Sequence, residues 1–260
     1  MIRNKKAMLF CSQMILAGAL ITGAPCLASG DNGETSVFGS SDTNAEDEVS
    51  DLSGEGQIHK PASLNAPDFA SDPNFVDDST DNTYGYYTIM GTTTVSLAQM
   101  TSQYNAHGSE YPSASLKEGG AETIDDICTI ILEEANAEGV KAEIAFTQCM
   151  KETGFLKYGG DVLPNQYNFA GIGATGGVHG AKFKNVRTGI RAQVQHLKAY
   201  ASTSPLKNAC VDPRFNYVTR NTAPYVEWLG IKENPNGHGW ASAKNYGYDI
   251  VGMVKILLSK

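Results

Sequence analysis

In "TIDDICTIILEEANAEG" the apolar residues Ile124, Ile127, Cys128, Ile131, Leu132 and Ala135 recur at the spacing of one helix face. Thr123 is placed to cap that helix, Asp126 completes a capping box, and Gly139 ends it. The following "KAEIAFTQCMKE" is apolar almost all round. Ile144, Ala145, Phe146, Cys149 and Met150 leave only Glu143, Thr147 and Lys151 as a narrow polar stripe, which predicts a central, mostly buried helix. Ile190, Val194, Leu197 and Ala201 predict a further helix in "TGIRAQVQHLKAYA", and "YDIVGMVKILL" predicts the last one. Between them, "GGDVLPNQYNFAGIGATGGVHGAKF" is too rich in glycine for a helix and suits loops and short hairpins. Ahead of the first helix, "YGYYTIMGTTTVSLAQM" joins β-branched and aromatic residues to a short helix, and "YPSASLKEGG" is a loop. No internal repeat is present. The pattern predicts a mainly α (α+β) domain with a small glycine-rich β lobe over residues 120–260, and an extension over 84–119 that packs on it.

The residues before this domain are of another kind. Arg3, Lys5 and Lys6 precede the apolar run "AMLFCSQMILAGALITG", and small residues up to Ala28 offer a cleavage site, so 1–28 is expected to be a signal peptide. A retained anchor is the alternative, since the run approaches spanning length. The formal net charge of −8 is concentrated in 29–83, where acids from Asp31 to Asp81 face Lys60 alone. Such a stretch buries too little apolar surface to offset ordering entropy and is expected to be a disordered acidic spacer. Its charge also argues against nucleic acid as a partner.

Cys128, Cys149 and Cys210 remain after the signal and sit among apolar neighbours, where packing is favoured over a disulfide. His59, His107, His179, His196 and His238 have no HExxH or comparable ligand spacing, so neither a metal site nor a cofactor is expected. Cys149 with His196 does not suit a thiol nucleophile, because Cys149 lies in the middle of an apolar helix. "GIGATGG" lacks the Lys-Ser/Thr of a phosphate loop.

Glu152 is the informative residue. It lies at the C-terminal end of the central helix, on the face shared by Ala145, Gln148 and Cys149 and away from the polar stripe. Burial and the negative end of the helix dipole both favour the protonated acid there, and a protonated carboxyl is what donation to a glycosidic oxygen requires. A structural ion pair with Arg214 or Arg220 is the alternative reading of the same position.

"AFTQCMKETGFLKYGGDVLPNQYNFAGIGATGG", with "RTGIRAQVQHLKAYAS" and "GWASAKNYGYDI", resembles the bacterial glucosaminidase domain of peptidoglycan hydrolases, glycoside hydrolase family 73. The resemblance covers roughly Gly120 to Lys260. It implies a lysozyme-like helical fold with a small β lobe, and cleavage of the cell-wall glycan after N-acetylglucosamine. It further implies that Glu152 is the general acid, that Asn168 and Phe169 line the sugar cleft, and that Tyr246 faces Glu152 across it. Relatives place a second acid in the β lobe, whereas this chain has no Asp or Glu between Asp161 and Asp212. That departure points to attack by the substrate's own N-acetyl group, with Asp161, Asp212 or Glu227 as competing bases.

Gln148, Tyr167 and Trp240 join Asn168 and Phe169 as expected substrate-binding residues, while Trp228 and Tyr225 are further aromatic candidates, Trp228 more suited to the core. Lys182, Lys184, Arg187 and Arg191 form a solvated cationic face that could attract anionic wall polymers. The expectation is a secreted or wall-associated monomer acting on peptidoglycan glycan strands, with no membrane contact once the signal is removed. A lytic transglycosylase and a non-catalytic glycan-binding module are the alternatives.

Overall fold

The computed structural model describes residues 86–260; the expected signal peptide, the acidic spacer and the first two residues of the extension lie outside them. Among the described residues six α-helices are arranged in the order α1 (Leu97–His107), α2 (Ser113–Leu116), α3 (Ile124–Glu138), α4 (Ala142–Thr153), α5 (Val186–Ala201) and α6 (Tyr246–Leu258). The one sheet among the described residues is a hairpin of β1 (Ala174–Thr175) and β2 (Val178–His179), with Ala174 opposite His179. The domain is therefore mainly α with a small β element, as its apolar spacing predicts.

Local chemistry sets the helix ends. Thr123 accepts from the N–H of Asp126 while the Asp126 side chain returns to the Thr123 N–H, and Gly139 takes the left-handed conformation that closes α3. α5 starts earlier than its apolar repeat suggests, because the Asn185 side chain accepts from the Thr188 N–H and caps it. "YPSASLKEGG" is not wholly a loop: Ser113–Leu116 makes one helical turn that buries Leu116. A single turn leaves too little periodicity to be seen in sequence.

α3 packs against α1, α4 and α5, and α6 closes over the far side of α4. Central α4 is buried along nearly its whole length, including Ile144, Phe146 and Met150. Each such side chain contributes roughly 1.5–3 kcal/mol by leaving water. Its narrow polar stripe is covered as well. Glu143 is fully buried, accepting from the Tyr87 hydroxyl at 3.3 Å and from the Thr94 hydroxyl at 3.0 Å. Lys151 crosses to α6 and pairs with Asp249 at 2.8 Å. The cover comes from residues 86–96, distant in sequence, which periodicity within the helix cannot reveal.

The cationic face is likewise smaller than expected. Glu134, buried on α3, accepts from Arg191 at 2.7 Å and from Arg187 at 3.0 Å, which leaves Lys182 and Lys184 exposed. One turn further along, Lys198 of α5 pairs with buried Glu138 at 2.9 Å. These pairs fix the register of α3 on α5, since removing one partner would leave a buried charge uncompensated. Gly189 allows α5 to approach the loop before the hairpin: a Cβ there would lie 1.7 Å from the Tyr167 carbonyl oxygen.

The extension is clamped at its start by Glu227, fully buried, whose carboxyl accepts from the Tyr87 N–H at 3.1 Å. Burial pushes the Glu227 carboxyl up from 4.5 to about 8. Between those values the folded chain holds a proton that the unfolded chain has lost, so stability falls as pH rises through the interval and levels off above it. Urea denaturation between pH 5 and 8.5 should show this decline, on the order of a few kcal/mol. Glu227→Gln should remove most of it, and an unchanged slope in that variant would assign the decline to other groups.

Candidate active site

Glu152 occupies the last turn of α4, and the chain leaves that helix through a tight reversal. Gly154 takes the left-handed cap position, and the Phe155 N–H donates back to the Met150 carbonyl at 2.7 Å. Phe155, Leu156 and Tyr158 all have positive φ, between 56° and 59°. Such residues cost of order 1 kcal/mol each and persist only where their surroundings hold them. Two contacts do so here. The Thr153 hydroxyl bridges the Cys149 carbonyl and the Leu156 N–H, and the Phe155 ring lies parallel to His107 of α1 at 3.8 Å. The reversal fixes the end of α4 and thereby the root of the Glu152 side chain.

Glu152 is half-buried, and the Tyr246 hydroxyl donates to its Oε1 through a short hydrogen bond. Tyr246 sits in the first turn of α6, is 3% exposed, and has its phenol held well above the usual range, first by burial and then by the charge of Glu152. It therefore stays a donor at neutral pH. Behind it the polarity of the chain of bonds is fixed. Gln193 of α5 donates to the Gln148 Oε1 at 3.0 Å and to the Ala145 carbonyl at 2.9 Å, and Gln148 donates to the Tyr246 oxygen at 3.2 Å. With its oxygen accepting from Gln148, the phenol has its proton directed at Glu152.

The second carboxyl oxygen, Oε2, is turned toward the loop at Gly171. A Cβ on that glycine would sit 3.6 Å from it, and its φ of +64° disfavours any other residue. Asn168 makes this loop. Its side chain donates to the Ile172 carbonyl at 3.0 Å and the Ala181 carbonyl at 3.2 Å, and accepts from the Ile172 N–H at 2.9 Å. Ile172, Gly173 and Ala174 of the loop border a recess that is also lined by His196, Tyr200, Arg214, Tyr217 and Trp240.

The expected site residues thus separate into groups. Glu152, Tyr246 and Gln148 come together, though Gln148 is wholly buried and serves Tyr246 rather than an open surface. Asn168 and Phe169, 1% and 0% exposed, support the Gly171 loop instead of presenting side chains to a cleft. Tyr167, 8% exposed with φ 52°, packs its ring where Gly119 has no side chain. Trp240 borders the recess but is only 2% exposed, edge-on to His196 at 4.7 Å. Trp228 is half-buried against Tyr225 and Tyr86.

The other candidate acids have hydrogen-bond partners of their own. Asp212 is buried and accepts from the His196 Nδ1 at 2.7 Å, Glu227 lies beneath the extension, and Asp161 accepts from the Gly177 N–H of the hairpin at 3.2 Å. Neither Arg214 nor Arg220 pairs with an acid among the described residues; Arg220 donates to the carbonyls of Ala199, Ser202 and Ser204. Among the described residues Cys128, Cys149 and Cys210 form no disulfide, and burial pushes Cys128 up to about 12 and Cys149 higher still. Among the described residues no three His, Cys, Asp or Glu side chains converge as metal ligands would, and no helix is long and apolar enough to cross a membrane.

Gln193 is the site residue that sequence reasoning passed over. A glutamine among Ile190, Val194 and Leu197 on an apolar helix face was the available signal. Gly171 carries no such signal, because nothing in "FAGIGATGG" tells which glycine meets the acid.

No solved structure matches the chain. An uncharacterized protein of Borreliella burgdorferi is 41% identical over 124 residues, 47% of this chain and 57% of that protein, so the match spans little more than half of the relative's length. The family model for glucosaminidase, described as mannosyl-glycoprotein endo-beta-N-acetylglucosaminidase, matches residues 128–258, from within α3 to the end of α6, and takes in Glu152, the Gly171 loop and Tyr246. The chain belongs to the glucosaminidase family.

Proposed function

We propose that the protein is a secreted endo-β-N-acetylglucosaminidase that hydrolyses the N-acetylglucosaminyl bond of peptidoglycan glycan strands, with Glu152 as the general acid. The orientation of that carboxyl carries the proposal. Tyr246 donates to Oε1, and Oε2, turned toward Gly171, is the oxygen to which this reading assigns the acid proton. Gly171 offers no side chain there, and a polymer can approach.

In the first step Oε2 gives its proton to the glycosidic oxygen as the bond from that oxygen to the anomeric carbon breaks. The acetamido oxygen of the same sugar closes on the anomeric carbon, forming a cyclic oxazolinium. Water then opens the ring, and the Glu152 carboxylate takes the proton of that water. Two facts favour acetamido assistance over a second carboxylate. No acid occurs between Asp161 and Asp212, and Asp212 and Glu227 are buried on other partners. Tyr246 serves this step through the acid, whose Oε1 it holds by its hydroxyl.

Purified peptidoglycan incubated with the protein should lose turbidity and gain reducing ends. Tight binding to the wall with no gain in reducing ends would instead make the domain a glycan-binding module.

A further inference from the structure

We propose that Glu233 is a positioning residue for the reaction: from the loop that precedes α6 it fixes the backbone at Asn245, and through it the hydroxyl that Tyr246 directs at Glu152. This rests on the reading of Glu152 as the acid and of Tyr246 as its donor.

Tyr246 is the first residue of α6, so the direction of its side chain depends on how that helix begins. α3 and α5 begin in the usual way, with Thr123 and Asn185 in extended backbone and their side chains capping the first turn. α6 does not. Its N-cap residue, Asn245, makes no side-chain hydrogen bond to the first turn, and its backbone is left-handed, with φ 60°. Such a conformation in a residue other than glycine persists only where the surroundings hold it. Glu233 provides the hold, since its Oε1 accepts from the Asn245 N–H at 2.8 Å. On the other side the Asn245 carbonyl accepts from the Asp249 N–H at 2.9 Å. Fixed at both ends, Asn245 passes the chain to Tyr246 in one orientation. The carboxylate also lies at the positive end of the α6 dipole, where a negative charge is favoured.

The loop is built around this carboxylate. The Glu233 N–H donates to the Gly230 carbonyl at 3.1 Å, and the Asn234 side chain donates to the carbonyls of Thr222 at 2.8 Å and Trp228 at 3.1 Å. Gly230 has a φ of −79°, which any residue adopts, so its missing side chain serves space instead. A Cβ there would lie 2.2 Å from Glu233 Oε2. Oε2 is buried and has no donor among the described residues, which is not the arrangement of an acid kept for its bonds to the fold. Gly247 completes the seat. A Cβ on it would lie 2.1 Å from the Val226 carbonyl oxygen, so the first turn of α6 rests directly on the Val226–Leu229 turn. Toward α4, Tyr246 meets Gln148 at its hydroxyl and Lys151, whose ammonium is 5.5 Å over the ring. α4 thus supplies the contacts of the ring, and Glu233 the constraint on its backbone.

The test combines rates with a signal from Tyr246 itself. Glu233→Ala should lower kcat for glycan cleavage about tenfold with KM unchanged, a smaller loss than removal of the Tyr246 hydroxyl. Glu233→Gln can still accept from Asn245 and should keep most of the native rate. Gly230→Ala keeps the acid but pushes it aside with the added methyl, so it should behave as Glu233→Ala does, and it decides the matter if Glu233→Ala does not fold. In a Tyr246→Phe background neither change should lower kcat further, because the group they act through is gone. The same fold-loss in both backgrounds overturns the proposal. Independently of turnover, the Cζ resonance of isotope-labelled Tyr246 reports its bond to Glu152. In Glu233→Ala and Gly230→Ala it should move toward its position in Glu152→Ala, and in Glu233→Gln it should stay near the native position. An unmoved resonance overturns the proposal whatever the rates. A resonance that moves in a protein that cleaves no wall keeps the positioning and defeats the enzymatic reading alone, and cleavage with an unmoved resonance does the reverse.

Discussion

Glu152→Gln should lower the rate of glycan cleavage about a thousandfold, within the range for losing a positioned general acid. The amide keeps the shape of the carboxyl and can still accept from Tyr246, so the architecture has no reason to change. What it lacks is the proton for the leaving oxygen. Because Glu152 lies in the last turn of α4, where the helix dipole disfavours a negative charge, the variant should be as stable as the native chain or more so, by about 0.3–1 kcal/mol. Lower activity with equal or higher stability is the signature of a residue kept for chemistry at the expense of the fold. A variant that was both inactive and less stable would point to a structural acid. Initial rates on labelled wall and denaturation midpoints, taken on the same preparation, separate the two.

Tyr246→Phe comes next in size, with an expected loss of about a hundredfold, comparable to removing one preorganised donor from a reacting centre. The phenol is the last member of a line in which each group donates forward, from Gln193 through Gln148 to Glu152. Without it Glu152 Oε1 loses the Tyr246 hydrogen bond that helps hold the carboxyl toward Gly171. The loss should fall mainly on kcat, with KM little altered, because Tyr246 is 3% exposed and offers scant surface to bound glycan. The variant also leaves the Gln148 amide facing an apolar ring, at a cost of about 1–3 kcal/mol in stability. Gln193→Leu reaches the same line from its far end without touching the acid, and a smaller fall in kcat is expected there.

Much of this could be read from the chain before its fold. Capping residues such as Thr123, Asp126 and Gly139 act within a few residues of themselves, so α3 was legible to its ends. The face shared by Gln148 and Glu152 followed from helical geometry alone, and Tyr246 was reached by resemblance. What remained hidden depended on contacts between distant segments. The partners of Glu143 and Lys151, in residues 86–96 and in α6, could not be read from the periodicity of α4. Asn168 and Phe169 fall beside the cleft in sequence, but the close approach of α5 at Gly189 draws them inside and leaves Gly171 as the surface. Trp240 looked like a sugar platform because its flanking residues are small, yet the exposed ring at the recess belongs to Tyr217, in a loop with no periodicity to mark it.

The end group of the released fragments is the most direct test of a proton-donating Glu152 in a glucosaminidase. Wall digested by the native protein, reduced with borohydride and weighed by mass spectrometry should carry reduced N-acetylglucosamine at its new ends, and the Glu152→Gln digest should lack them. Anhydromuramyl or reduced muramyl ends from the native protein, or the same glucosamine ends formed at the native rate by the variant, would contradict it.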